Sequence, residues 1–279
     1  MKCSTPRNRW QDSLRDGSKR RLSAPTGAAS WGSREADARL PRGLRNAYMH
    51  SRMTLSDAVI ARHTVVRVSH AAWEACLATQ PALANEPLIR DWVKAGRPLM
   101  ARRANACDAA IGAGVPLGLP LPPSAGKRRI SVVVPRDRIV SVAAPPTLAS
   151  LVDVAPDPWR ATIHALCALS SRHRVECRAF GSLAWQGLTS LPYLSAASDL
   201  DLLFDLPQGD DVTRTLDKLL SDIARCAAVA PMRIDGEIIR ADGTGVNWRE
   251  LHEAKGDVVV KRATDVVLLP AREFVEVKT

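Results

Sequence analysis

The run Ser198-Asp199-Leu200-Asp201-Leu202-Leu203-Phe204-Asp205-Leu206 constrains what this chain can fold into more than any other segment. In an extended strand alternate side chains share a face, so Asp199 and Asp201 project side by side while Leu200, Leu202 and Phe204 alternate with them or pack nearby. Like charges about 4 Å apart repel by roughly 4 kcal/mol at an effective dielectric of about 20, so the arrangement calls for a cation or a proton between the carboxylates. A divalent metal, and with it phosphoryl chemistry, is the first expectation.

The chain has 279 residues, 46% of them hydrophobic and 24% charged, enough material for two cores of ordinary size. A net charge of +10 suggests a polyanion-binding protein until its distribution is followed. Residues 1–52 hold twelve Lys/Arg against four Asp/Glu, and the remaining 227 residues are nearly balanced at +2. A nucleic-acid-binding face on the folded body is therefore not expected. The six cysteines are scattered, without the close pairs of zinc or redox motifs, so reduced thiols are expected. No run of eighteen apolar residues and no apolar signal-peptide core occurs, which predicts a cytoplasmic protein with no membrane partner.

Residues 1–52 are rich in Arg, Ser and Gly and lack a sustained period, which predicts a disordered basic extension. A start at Met49 or Met53, with an upstream extension before it, is the plainest account of that stretch. Residues 53–146 read as a small N-terminal α+β domain. Val65, Val66 and Val68 suggest a strand, Ala71 to Leu77 a helix, and Pro98 to Met100 and Ile130 to Val134 further strands. Gly112 to Pro123, dense in Gly and Pro, reads as loop, and Pro145-Pro146 as the linker into residues 147–279.

The second half is more legible. Asp157-Pro158 has the form of a helix start, with Asp as cap, and Val175 to Phe180 reads as a strand that delivers the chain to Gly181-Ser182. After the double-Asp strand, Asp210 or Asp211 caps an amphipathic helix through Leu216, Leu219, Leu220 and Ile223. Met232 to Ile239, Val258 to Val260 and Val266 to Leu269 read as strands.

A strand ending in Gly-Ser, a strand with acids at i and i+2, and a third acid on a later strand resemble the nucleotidyltransferase superfamily. The third position falls to Asp235 or Glu237, which share a face of Met232 to Ile239, with Asp235 preferred. Carboxylates holding divalent ions can activate an attacking hydroxyl and stabilise a departing pyrophosphate. Gly181 lets the backbone approach a phosphate, and the Ser182 hydroxyl and the amides at a helix N-terminus can donate to it. Alone, an Asp-x-Asp is usually a solvated strand edge and Gly-Ser a turn; the ordered set is more specific. Sixteen residues separate Ser182 from Asp199, more than the roughly ten of the superfamily's commonest members.

A closer resemblance covers about residue 60 to the C-terminus. Phe180-Gly181-Ser182-Leu183-Ala184-Trp185-Gln186, Tyr193-Leu194, Ser198 to Leu203, Ile234-Asp235-Gly236-Glu237 and Val246 to Leu251 are similar to the phosphoribosyl-dephospho-CoA transferases of malonate decarboxylase, its holo-acyl-carrier-protein synthases. Gly96-Arg97-Pro98-Leu99, Arg102-Arg103 and Gly126-Lys127-Arg128-Arg129-Ile130 resemble that family's N-terminal region. The resemblance implies two α+β domains, the C-terminal one a nucleotidyltransferase-like mixed sheet with flanking helices, and it makes the long insert a family feature. It also implies transfer of a prosthetic group from 2'-(5''-triphosphoribosyl)-3'-dephospho-CoA to a serine of the apo acyl-carrier protein, with release of diphosphate. Asp199, Asp201 and Asp235 or Glu237 would hold magnesium or manganese, and Gly181 and Ser182 the triphosphate.

The other polar candidates have equally plain structural accounts. Lys261 and Arg249 are placed to reach substrate, or to serve a strand end and a turn. Trp185 and Tyr193 are candidates for base stacking, or core aromatics. Lys127-Arg128-Arg129 would suit an acidic carrier, or a solvated loop. Asp205, about 13 Å beyond Asp201 at strand rise, falls outside the expected metal site. Two other functions fit less of the sequence: ATP-dependent adenylation by the same superfamily, and a non-catalytic module whose basic tail binds nucleic acid.

Overall fold

The computed structural model describes residues 60–105, 108 and 114–276. The basic stretch 1–52 lies outside them. The described residues form an α+β structure with two sheets, each with its own hydrophobic core.

The N-terminal half runs β1 (Val65–Val68), α1 (His70–Ala78), α2 (Pro81–Ala84), α3 (Pro87–Arg90), β2 (Leu99–Ala101), β3 (Val115–Pro120), β4 (Arg129–Val134) and β5 (Ile139–Ala143). Its sheet is antiparallel throughout, in the order β4-β3-β2-β1-β5. The Ser69 hydroxyl caps α1 by accepting from the Ala72 amide, as the sequence Ser-His-Ala-Ala allows.

The expected loop Gly112–Pro123 is corrected: Val115–Pro120 is a strand in continuous register with β4. Leu117 and Leu119, two apart, are both buried, and period-two burial outweighs the strand-breaking tendency of Pro116 and Pro120. The prolines are tolerated because β2 pairs with β3 only at Met100 and Ala101, opposite Gly118 and Leu117, which leaves both prolines outside that short ladder.

The C-terminal half runs α4 (Asp157–His173), β6 (Cys177–Ala179), α5 (Gly181–Thr189), β7 (Leu200–Asp205), α6 (Val212–Val229), β8 (Ile234–Ile239), β9 (Gly245–Asn247), α7 (Trp248–Glu253), β10 (Asp257–Lys261), β11 (Val266–Pro270) and α8 (Ala271–Val275). Pro156 rather than Asp157 occupies the cap of α4, and Asp157 becomes the first helical residue, 3.1 Å from Arg160. The Asp211 side chain caps α6 through the Arg214 amide. The sheet order is β11-β10-β9-β8-β7-β6; the pair β7 and β8 is parallel, bridged by α6, and its neighbours are antiparallel.

Leu200, Leu202 and Phe204 of β7 and Ile234 and Ile238 of β8 face a core closed by Ile163 and Leu166 of α4 and by Leu219 and Ile223 of α6. That core fixes the register, so the opposite face of β7 and β8 must carry Asp201, Asp235 and Glu237. The prolines at the expected linker are stitched into this half, since the Pro146 carbonyl accepts from the Ala179 amide at 2.9 Å.

Candidate active site

Hydrophobic alternation positions the acids. Asp201 and Asp235 are register partners on parallel neighbours, and Asp199 lies two residues before Asp201 at the mouth of β7. Asp235 is tied down on one oxygen: its Oδ1 accepts from Asn247 Nδ2 and from the Gly236 amide, both at 2.8 Å. Arg233, on the same side of the strand, comes within 3.6 Å of Asp235 and 3.9 Å of Asp199. The alternation Arg233, Asp235, Glu237 carries this in the sequence, where Arg233 was passed over.

Asp201 is the acid most disturbed by its surroundings. Burial, then Asp235, then Asp199 push its carboxyl up to about 6, against the weaker opposing pull of Arg129 and Arg233. Excess negative charge therefore collects around Asp201. The acids form an open set: among the described residues, no three His, Cys, Asp or Glu side chains are grouped closely enough to hold a metal ion as they stand.

Gly181 opens α5 directly against Asp201. Its φ is +63°, and a Cβ there would lie 1.8 Å from Asp201 Oδ2, so only glycine fits on both counts. The Phe180 amide donates to the Asp201 carbonyl at 3.0 Å, which locks the Gly-Ser turn to the acid strand. Among the described residues no side chain caps α5, which leaves its first-turn amides beside Ser182 without a capping acceptor.

Glu237 has a different setting. Arg62 Nη2 lies 2.5 Å from its Oε2 and Lys261 Nζ 2.8 Å from its Oε1. Burial acts to raise its pKa, but the two cations more than offset it and hold the carboxyl below the usual range. His63, beside Arg62, is pushed down to about 4 by burial and by the Arg62 charge, and among the described residues its Nε2 has no hydrogen-bond partner. Lys261 thus meets Glu237. Arg249 donates from Nη2 to the Ile234 carbonyl at 3.0 Å and stacks over Trp248 at 4.3 Å, one residue from Asp235.

Trp185 and Tyr193 belong to the N-terminal core, stacked at 5.9 Å, and the Tyr193 hydroxyl donates to the Pro120 carbonyl at 2.8 Å. Gln186 Oε1 accepts from the Tyr193 and Leu194 amides, bracing the insert that leads to Asp199. Asp205 is exposed and sits beside Glu176, away from the other acids. Arg62 and His63 were missed by sequence reading, because nothing in their local pattern distinguishes them.

Residues 61–145 match the model of the phosphoribosyl-dephospho-CoA transferase MdcG N-terminal domain, and residues 147–272 that of the corresponding C-terminal domain. A phosphoribosyl-dephospho-CoA transferase of Bradyrhizobium diazoefficiens is 44% identical over 214 residues, 77% of this chain and 92% of the relative. Proteins of the same name from Xanthomonas campestris and Xanthomonas euvesicatoria are 37% and 36% identical, over 66% and 70% of this chain and 84% and 88% of their own lengths. No solved structure matches the chain significantly.

Proposed function

The chain belongs to the phosphoribosyl-dephospho-CoA transferase family and is a transferase, and from that membership we propose that it loads the carrier subunit of malonate decarboxylase in the cytoplasm. The substrate would be 2'-(5''-triphosphoribosyl)-3'-dephospho-CoA, the acceptor a serine of the apo acyl-carrier protein, and the leaving group diphosphate. The observation that carries this reading is the fit of Gly181 against Asp201, which sets a helix start without a side-chain cap beside acids whose mutual repulsion their neighbouring cations only partly offset.

The donor set suits a hard divalent cation, since Asp199, Asp201 and Asp235 offer only oxygen and repel one another. These three would hold magnesium or manganese; with Glu237 shared between Arg62 and Lys261, Asp235 is the proposed third ligand. Such an ion, when bound, neutralises phosphate charge and makes a hydroxyl more acidic.

The chain's own groups do the rest. The α5 amides and Ser182 donate to phosphate oxygens, and Gly181 permits their approach. Asn247 holds Asp235 in one orientation. The serine oxygen forms its bond to the α-phosphorus as the bond to the β-phosphate bridging oxygen breaks, and the serine proton passes to one of the acids.

The test is intact-mass measurement of apo carrier protein mixed with the enzyme, the triphosphate precursor and magnesium. The carrier should gain the mass of the phosphoribosyl-dephospho-CoA group. Unchanged mass with verified precursor removes this acceptor, and preferential consumption of ATP would point to adenylation instead.

A further inference from the structure

The parallel pairing of β7 and β8 sets four charged residues two by two at the mouth of the site. Asp201 lies beside Asp235 in register, and one step earlier on each strand the Arg233 carbonyl accepts from the Leu200 amide at 2.8 Å, which brings Arg233 beside Asp199. Burial of Leu200 and Ile234 in the core turns Arg233 to the acid face together with the three acids.

The two oxygens of Asp235 have different partners. Oδ1 accepts from Asn247 Nδ2 and from the Gly236 amide, both at 2.8 Å, whereas Oδ2 faces Arg233 Nη2 at 3.6 Å. The other terminal nitrogen of Arg233 lies 3.9 Å from Asp199 Oδ2. At those distances neither contact is a hydrogen bond. The guanidinium therefore spans two acids without bonding to either, and more than half of its side chain is exposed. Lys261, by contrast, bonds to the buried Glu237 carboxylate at 2.8 Å. An exposed ion pair without a hydrogen bond contributes little, so Arg233 is held by charge alone and is readily displaced.

We propose that Arg233 is the counter-ion of the metal-free acids, displaced by the incoming divalent cation and passed to the polyphosphate of the substrate. The inference rests on the proposed function, which supplies both the cation and the triphosphate. With Oδ1 of Asp235 held by two donors, Oδ2 is the oxygen left for a metal ion, and it is the one that Arg233 faces. A guanidinium and a divalent cation at one carboxylate oxygen repel each other. The displaced side chain remains rooted beside the acids, where a planar fork suits two oxygens of a phosphate drawn in by the metal. Metal alone then binds against a resident cation, whereas metal and polyphosphate together give that cation a new partner, so each ligand strengthens the other.

The experiment is titration of the full chain with manganese in the absence of substrate, followed by the electron paramagnetic resonance of the free ion, for wild type, Arg233→Ala and Arg233→Lys. Alanine should bind manganese about fivefold more tightly, and lysine, which keeps the charge, should stay near wild type. In turnover at saturating metal, KM for the triphosphate substrate should rise about tenfold in Arg233→Ala while KM for the carrier stays constant. Equal or weaker manganese binding by Arg233→Ala overturns the inference, and tighter binding with an unchanged substrate KM overturns the transfer to the polyphosphate. Absence of manganese binding in wild type removes the metal itself and the inference with it. Tighter manganese binding by Arg233→Ala, in a protein whose wild type leaves the carrier unmodified, would instead remove the acceptor reading and uphold Arg233 as the displaced counter-ion.

Discussion

Asp235 and Glu237 sit two residues apart on one face of β8, yet their surroundings give them opposite characters. Glu237 is enclosed, and each of its oxygens meets a cation: Arg62 from the segment before β1 and Lys261 from the end of β10. Asp235 and its register partner Asp201 share that face with Asp199, and the nearest cation, Arg233, is 61% exposed and divided between two of the three acids. A buried acid with full compensation ties segments of the chain together, whereas acids left with excess negative charge keep the capacity to take an external cation. The difference is set by what the neighbouring segments bring, not by the strand that carries the acids.

The sharpest way to break the contrast is to neutralise one acid of each kind. Asp201→Asn should reduce carrier loading by at least about 10³-fold, roughly 4 kcal/mol of transition-state stabilisation, while the protein stays folded. Full activity in this variant, measured by the mass change of the carrier, would remove the acid face from the mechanism. Glu237→Gln should do the reverse. Leaving Arg62 and Lys261 without their shared carboxylate should cost about 3 kcal/mol of stability in denaturant unfolding, with folded molecules retaining most of their activity. Loss of activity at unchanged stability would move Glu237 into the metal set.

How much of this could be read in advance follows the same division. The double-Asp strand was legible because Leu200, Leu202 and Phe204 must be buried, and a two-residue period then leaves the acids together. Gly181 was legible as a point of close approach, though its neighbour Asp201 was not. Asp235 and Glu237 could not be separated, because i and i+2 on a strand are equivalent until tertiary partners are known. Those partners come from position 62, separated by 175 residues, and position 261, separated by 24. Trp185 and Tyr193 were open to a stacking role for the same reason: an aromatic beside a Gly-Ser turn looks alike whether it faces a base or a second core. β3 was misread because composition spoke for loop while the Leu117 and Leu119 alternation spoke for strand, and burial decided it.

The acid pair also predicts an unusual pH response in metal-free protein. Asp201 is pushed up to about 6 in the fold, so its neutral form is favoured there relative to the unfolded chain, where it titrates near its ordinary value of 3.8. The folded state holds the extra proton between those two values, so the associated stability is present below about pH 4 and is lost as pH rises through 6. The size is on the order of 3 kcal/mol. Because other carboxylates titrate over the same range, the measurement is the difference in unfolding free energy between wild type and Asp201→Asn, followed from pH 4 to 7. Wild type should lose ground to the variant across this window, and magnesium at pH 7 should recover part of it. A flat difference would mean that the acids do not crowd one another.

The smallest effect tests whether the two halves of the site are coupled through the insert. Tyr193→Phe keeps the ring that stacks on Trp185 and removes only the hydroxyl, whose proton burial holds firmly in place and which donates to the Pro120 carbonyl. One such bond contributes about 1 kcal/mol, so the thermal midpoint should fall by about 3 °C. The insert that carries Tyr193 leads on to Asp199, so an insert freed from the Pro120 carbonyl should hold that acid less firmly, and carrier loading should drop by about twofold to threefold, well short of the Asp201→Asn loss. The acids, Gly181 and the cations around Glu237 are untouched by this change. A fall in midpoint without a fall in carrier loading would therefore make Tyr193 a core residue only, whereas a parallel loss of both would show that the insert between α5 and β7 carries alignment from one sheet to the other.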